Sequence, residues 1–507
     1  MTRAYPRRSS AVAERGMVAT SQPLATQAGL QALADGGTAV DAAIAAAAVL
    51  CVVEPMMTGL GGDAFAIIHR DGKLDGLNSS GRSPAAADPD ALGAIPIRGP
   101  LAVTVPGAVA GWAALAERHG RLGLDRLLRD AIEIAERGFA VTPVIAGMWQ
   151  AGAGALAGFP EAARTWLPAP RVGELRRLPE LARTLRAIAE HGPDGFYRGR
   201  VADAICSATP LSADDLAAHR AEWVEPLRVP YRGVEVCELP PNGQGAAALQ
   251  ALGMLGCLDL PADEVDRVHV QAEAAKLAFA DAYRHIHDGP LPAGYLDPAY
   301  LAERAGLIQR ERAGAPGPGN LPRGDTVYLC AVDGERTACS LIQSIYYAFG
   351  SLVVAPQTGV TLQNRGACFT LEPGHPNRLA PGKRPFHTII PGMLVDGDAL
   401  LGPFGLMGGH MQPQGHLQLV SQLIDRGLDP QAAIDEPRFR LDLADGEWAL
   451  ALEAPLWRHG GVLGRRGHRV LLDPDPTGFG GAQAILVHGD ALIGGSESRK
   501  DGVVLGR

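Results

Sequence analysis

The chain has 507 residues, a hydrophobic fraction of 47% and a net charge of −9, with a pI near 5.9. This length can bury a substantial core and suits one large or two ordinary domains, while the acidic balance argues against a nucleic-acid binder, which carries a basic face. The most apolar run, Ala39 to Val53, contains Asp41, ends at Glu54 and is short of the ~20 residues a membrane span needs, so no membrane partner is expected.

Met1 to Arg15 holds Arg3, Arg7, Arg8 and Arg15 but no apolar h-region, which predicts a cytoplasmic enzyme. Helices are predicted over Leu24 to Leu33 and Ala39 to Val52, then a strand over Ala64 to His69. Further helices follow at Ala108 to Arg118, Asp125 to Arg137, Leu178 to His191 and Ser212 to His219, the first two ending near Gly120 and Gly138. Tyr231 to Leu239 reads as one half-buried strand, Pro240 to Gly245 as a loop and Ala246 to Met254 as a helix. Arg312 to Arg323 is rich in Gly and Pro and reads as an exposed linker. Beyond it the pattern changes to strands: Val327 to Val332, Ala338 to Ser344, Leu352 to Val354 and Pro391 to Val395. A helix at Gln412 to Asp425 and closing strands at Ala482 to His488 and Ala491 to Gly494 complete the chain. A helix-rich piece feeding a strand-rich piece fits two packed sheets covered by helices on both sides.

The junction Asp325-Thr326 lies where linker becomes strand. Cutting there would free a threonine carrying a nucleophile and a base on one residue, since its hydroxyl needs an adjacent base and a free α-amine titrates near ~7.7–8.0. The β-methyl restricts χ1 and so fixes the direction of the oxygen. Taken alone, Asp-Thr is common and usually means a turn or a helix cap. The seven cysteines are scattered and lack a CxxC pair, so neither a disulfide framework nor a zinc site is expected. His387, His410 and His416 share one stretch, but their spacing matches no standard zinc motif. Gly59-Leu60-Gly61-Gly62 lacks the spacing of a phosphate loop.

An ordered series of motifs resembles the γ-glutamyltransferase (γ-glutamyl transpeptidase) family of N-terminal-nucleophile hydrolases across nearly the whole chain. It includes Gly16 to Ala25, Gly36 to Ala43, Val53 to Gly62, Val105 to Trp112 and Ala272 to Asp281. After the junction come Phe349-Gly350-Ser351, Lys383-Arg384-Pro385, Gly408-Gly409 and Asp435 to Phe439. The resemblance implies an α+β fold, the αββα sandwich, self-cleaved between Asp325 and Thr326 into pieces 1–325 and 326–507 that stay associated in one intertwined domain, with a homodimer open. It implies no cofactor and no metal. It makes Thr326 the nucleophile, Ser344 the hydroxyl that orients it, Gly408 and Gly409 the oxyanion hole, and Arg82 a clamp for a substrate carboxylate.

The substrate pocket departs from that pattern. The acidic residue that meets a glutamyl ammonium in the family corresponds to Cys368, a neighbouring asparagine to Tyr346, and a Ser-Ser pair to His387-Thr388. Arg365 adds positive charge, so the pocket favours an acyl group with a carboxylate and no adjacent ammonium. In these segments the chain is similar to oxamate amidohydrolases and glutaryl-cephalosporin acylases. Thr370 to Gly382 is shorter than the lid-bearing stretch of transpeptidases, which favours water as acceptor. The expected function is a self-processing amidohydrolase acting on a small carboxylate-bearing amide. A γ-glutamyltransferase or glutathione hydrolase, an uncleaved scaffold of the same fold and a metal hydrolase are the alternatives.

Overall fold

The structure, a computed structural model, describes residues 8–317, 325–444 and 446–507. Two seven-stranded antiparallel sheets stack face to face. In one, the order is Val503–Gly506, Gly16–Thr20, Asp325–Asp333, Ala338–Tyr346, Asp63–Arg70, Lys73–Ser79 and Glu222–Val224. The other runs Ala11–Ala13, Ala491–Ser496, Gly481–His488, Ala399–Met407, Gly392–Asp396, Val234–Glu238 and Leu227–Tyr231. Strands from both sides of the 325–326 peptide enter both sheets, so the two stretches of chain share one core.

Helices cover the outer faces. Ala39–Val53 starts with a capping box between Thr38 and Asp41 and is buried along its whole length against Asp325–Asp333 and Ala338–Tyr346. Its alanines let the helix approach the sheet closely, which explains a run hydrophobic on all sides. Gly245–Gly256 and Met411–Ile424 lie on the other sheet, with Glu264–His285 packed against them. The result is the αββα sandwich.

Most predicted elements form, with ends moved by one or two residues. Two do not. Tyr231 to Leu239 is not one strand, because Arg232 and Gly233 adopt φ of 51° and 89° and turn Leu227–Tyr231 back onto Val234–Glu238, the geometry of a two-residue hairpin loop. Leu352 to Val354 is mostly turn: Phe349, Gly350 and Leu352 all have positive φ, and only Val354–Ala355 pairs. Residues 318–323 of the expected linker lie outside the described residues. The part before them, at Ala313, Gly314 and Pro316, is pinned through its backbone. Among the described residues no helix is long and apolar enough to cross a membrane.

Candidate active site

Thr326 stands near the start of Asp325–Asp333, fully buried. Register slips beside it: Asp325 pairs with Tyr346 but Val327 with Gln343, so Ser344 and Ile345 both stand opposite Thr326. Such a bulge re-aims side chains, and here it brings the two hydroxyls together. Thr326 Oγ1 donates to Ser344 Oγ at 3.3 Å, and the Gln412 side-chain amide donates to Thr326 Oγ1 at 3.3 Å. Ser344 Oγ also accepts the Tyr346 N–H at 2.8 Å and an Arg365 N–H at 3.3 Å. The side chain of Asp325 lies outside the described residues.

Arg365 is fully buried in a short 3-10 turn, Arg365–Cys368. Its guanidinium donates to Thr388 Oγ1 at 2.7 Å and lies 4.2 Å from the centre of the Tyr346 ring. Among the described residues no carboxylate is within ion-pair reach of it, and neither Arg365 Nε nor the Tyr346 hydroxyl has a nitrogen or oxygen hydrogen-bond partner. A buried cation with spare donors is costly unless something anionic completes it. Cys368 adjoins both groups; burial pushes its thiol up, against the pull of Arg365. Tyr346 itself sits at φ 81°, an uncommon conformation for a bulky residue. Four of the expected substrate-facing residues, Tyr346, Arg365, Cys368 and Thr388, therefore gather around Ser344 and Thr326.

Gly408 and Gly409, at φ 126° and 60°, join Ala399–Met407 to Met411–Ile424. Gly409 C=O accepts the Gln412 N–H at 3.1 Å, so the glutamine that reaches Thr326 stands in the first turn after the two glycines. Among the described residues neither glycine N–H donates a hydrogen bond.

Sequence reasoning missed Asp63 and Gln412; the only signals were an acidic residue directly after Gly61-Gly62 and a glutamine shortly after Gly408-Gly409. Asp63 begins Asp63–Arg70 and pairs in register with Ser344. Its Oδ1 accepts the Gly81 and Gly107 N–H groups, each at 3.1 Å, and the Gln363 side-chain amide at 2.8 Å. Oδ2 is 3.0 Å from His387 Nε2. The Ile389 N–H donates to His387 Nδ1 at 3.3 Å, which places the imidazole proton on Nε2, toward Asp63. Burial raises the Asp63 carboxyl to about 7, opposed chiefly by Arg365, and burial together with Arg365 holds His387 well below its usual range. His387 thus faces Asp63 in this structure. Arg82 makes its contacts elsewhere, with Asp288 at 3.0 Å and Glu222 at 3.2 Å, its side chain 42% exposed.

The three histidines of the metal alternative do not converge. His387 is bound to Asp63, His410 Nδ1 to the Tyr283 hydroxyl at 2.7 Å, and His416 Nδ1 to Glu238 at 2.5 Å. One group of described residues does bring metal-type ligand atoms together: His269, Glu273 and His468. There Lys276 already holds the cationic place, 2.8 Å from Glu273 Oε1 and 3.5 Å from His468 Nδ1. The two imidazoles bond each other, His269 Nδ1 to His468 Nε2 at 2.7 Å.

The chain's likenesses agree with this geometry. The family model described as Gamma-glutamyltranspeptidase matches residues 25–507. A glutathione hydrolase-like YwrD proenzyme of Bacillus subtilis is 37% identical, over 98% of this chain and 99% of that protein. An oxamate amidohydrolase proenzyme of Klebsiella pneumoniae is also 37% identical, again over 98% and 99%. Among solved structures, a cephalosporin acylase from Bacillus halodurans superimposes with a TM-score of 0.94 at 44% identity, covering 100% of this chain and 98% of that one. The chain belongs to the gamma-glutamyltranspeptidase family and is an enzyme of that family.

Proposed function

We propose that the protein is a self-processing amidohydrolase that cleaves the amide of a small, carboxylate-bearing acyl group through a Thr326 acyl-enzyme. The observation that carries this reading is the buried Arg365 guanidinium, without a carboxylate partner among the described residues, sharing Ser344 with the Thr326 hydroxyl. In processing, Thr326 Oγ1 attacks the Asp325 carbonyl carbon while its proton leaves along the bond to Ser344. The 325–326 C–N bond breaks, the Thr326 nitrogen takes up a proton, and water hydrolyses the resulting ester. Thr326 then carries a free α-amine able to accept the hydroxyl proton in turnover.

The same oxygen next attacks the substrate amide carbon, and the amine leaves with a proton. Water releases the acyl group. The free N–H groups of Gly408 and Gly409 are the donors suited to the developing oxyanion, a contribution of ~2.7–4 kcal/mol for one donor. Arg365 suits the acyl carboxylate by its planar fork, and with Cys368 in place of an acid nothing in this group offers an α-ammonium a counter-charge. Because strands of both pieces build both sheets, the pieces remain together after the cut. Two of the relatives above, an oxamate amidohydrolase and a cephalosporin acylase, carry names that support the same chemistry.

Intact mass and N-terminal sequencing test processing: two fragments, the second beginning Thr-Val-Tyr-Leu, are expected, and a persistent full-length species overturns it. Turnover of glutaryl-p-nitroanilide, oxamate and γ-glutamyl-p-nitroanilide by the matured protein tests the substrate class. Preference for the γ-glutamyl donor overturns the carboxylate reading in favour of a γ-glutamyltransferase.

A further inference from the structure

We propose that Asp63 is a positioning residue for the acyl-carboxylate subsite, tying the segments of Arg365 and Thr388 to the strand that carries Ser344. This rests on the carboxylate reading above. The four donors to its carboxylate come from four separate segments, and two of them adjoin residues of the site: Gln363 is two residues before Arg365, and His387 precedes Thr388, while Gly81 precedes Arg82, which makes its contacts elsewhere. The fourth, Gly107, opens the helix Ala108–His119. On its own strand Asp63 stands opposite Ser344.

The fit is built by close approach. A Cβ on Gly81 would meet Val105 O at 1.5 Å, and one on Gly107 would meet Ser79 O at 1.8 Å and Asp63 Oδ1 at 3.0 Å. Only glycine lets both backbone N–H groups reach the carboxylate. Asparagine has nearly the same size but cannot accept all four bonds, because its amide nitrogen must face a donor. If that nitrogen faces His387, the imidazole proton has to move to Nδ1, where it meets the Ile389 N–H. If it faces the other side, the bonds from Gly81, Gly107 and Gln363 are lost. Either way the Arg365–Thr388 bond of 2.7 Å loses a support.

The test compares kcat/KM for glutaryl-p-nitroanilide with that for its neutral carboxamide counterpart, glutaramoyl-p-nitroanilide. A general loss of fold or of active enzyme moves both donors equally, so the ratio reports the subsite. In Asp63→Asn the ratio is expected to fall about tenfold, a loss of ~1.4 kcal/mol in selectivity. Gln363→Met removes the arm toward Arg365, together with the bond from the same amide to Val105 O at 3.1 Å, and is expected to lower the ratio about threefold, with little added in the double variant. An unchanged ratio in both variants overturns the assignment. A raised ratio also overturns it, because Asp63 would then be only a negative charge competing with the substrate for Arg365. A wild type that does not distinguish the donors sinks the carboxylate reading as well, whereas a selective wild type with indifferent variants sinks the Asp63 assignment alone.

Discussion

Two buried polar clusters in this fold are built from similar groups and end in opposite states. Around His468, the side chains have their partners. Lys276 bonds Glu273, the Gly314 C=O at 3.2 Å and His468; Glu273 Oε2 accepts the Gly314 N–H at 2.7 Å; His269 reaches Gln309 O at 2.8 Å. A Cβ on Gly314 would stand 3.0 Å from Glu273 Oε2, a tight contact. Around Thr326, by contrast, Arg365 Nε, the Tyr346 hydroxyl and the two glycine N–H groups are left without nitrogen or oxygen partners among the described residues. The closed cluster fastens chain to chain. The open one retains bonding capacity that a substrate can use, and that difference, rather than burial or charge as such, separates a structural network from a candidate site.

Thr326→Ala is expected to abolish the cut, seen by intact mass, and to lower turnover at least about 10³-fold. Retained turnover refutes the nucleophile. Lys276→Met leaves Glu273 charged and without its cation in the closed cluster, and a loss of about 3–5 kcal/mol in denaturant unfolding is expected, with donor selectivity unchanged. A shift in selectivity would mean the two clusters are coupled. Gly408→Ala introduces a Cβ at φ 126°, 3.2 Å from both Gly480 Cα and Met411 Cβ, and turns the N–H aside. Its kcat is expected to fall about 10²-fold at little cost in KM. The last effect concerns acid. Burial, Lys276 and His269 lower His468 to about 3. The unfolded chain therefore takes up that proton first, and stability falls as pH drops from the ordinary histidine range toward 3, by up to ~1.4 kcal/mol per pH unit. His468→Gln is expected to flatten that slope by one proton, and an unchanged slope would place the titration elsewhere.

Local pattern made much of the molecule legible. Ala39–Val53 and Leu124–Arg137 announce themselves by composition and period, and the ordered motifs carry the family. The described part of the Gly-Pro stretch before the junction is loop as read, but its anchoring at Ala313, Gly314 and Pro316 was not legible, because the anchors lie on a distant helix and beyond the junction. The single strand expected over Tyr231 to Leu239 failed because Arg232 in a left-handed turn has no composition signal.

Sequence alone determined the nucleophile candidate, the two-sheet architecture and the departures from the family pattern at Tyr346, Arg365 and Cys368. Tertiary structure alone decided that Asp63 stands beside Ser344, that Gln412 reaches Thr326, and that His387 turns to a carboxylate. Those contacts join residues 86 to 324 positions apart; strand register sets Asp63 beside Ser344, whereas the seating of the helix Met411–Ile424 and the path of the segment at His387 set the other two, and none of these is a local property of the sequence.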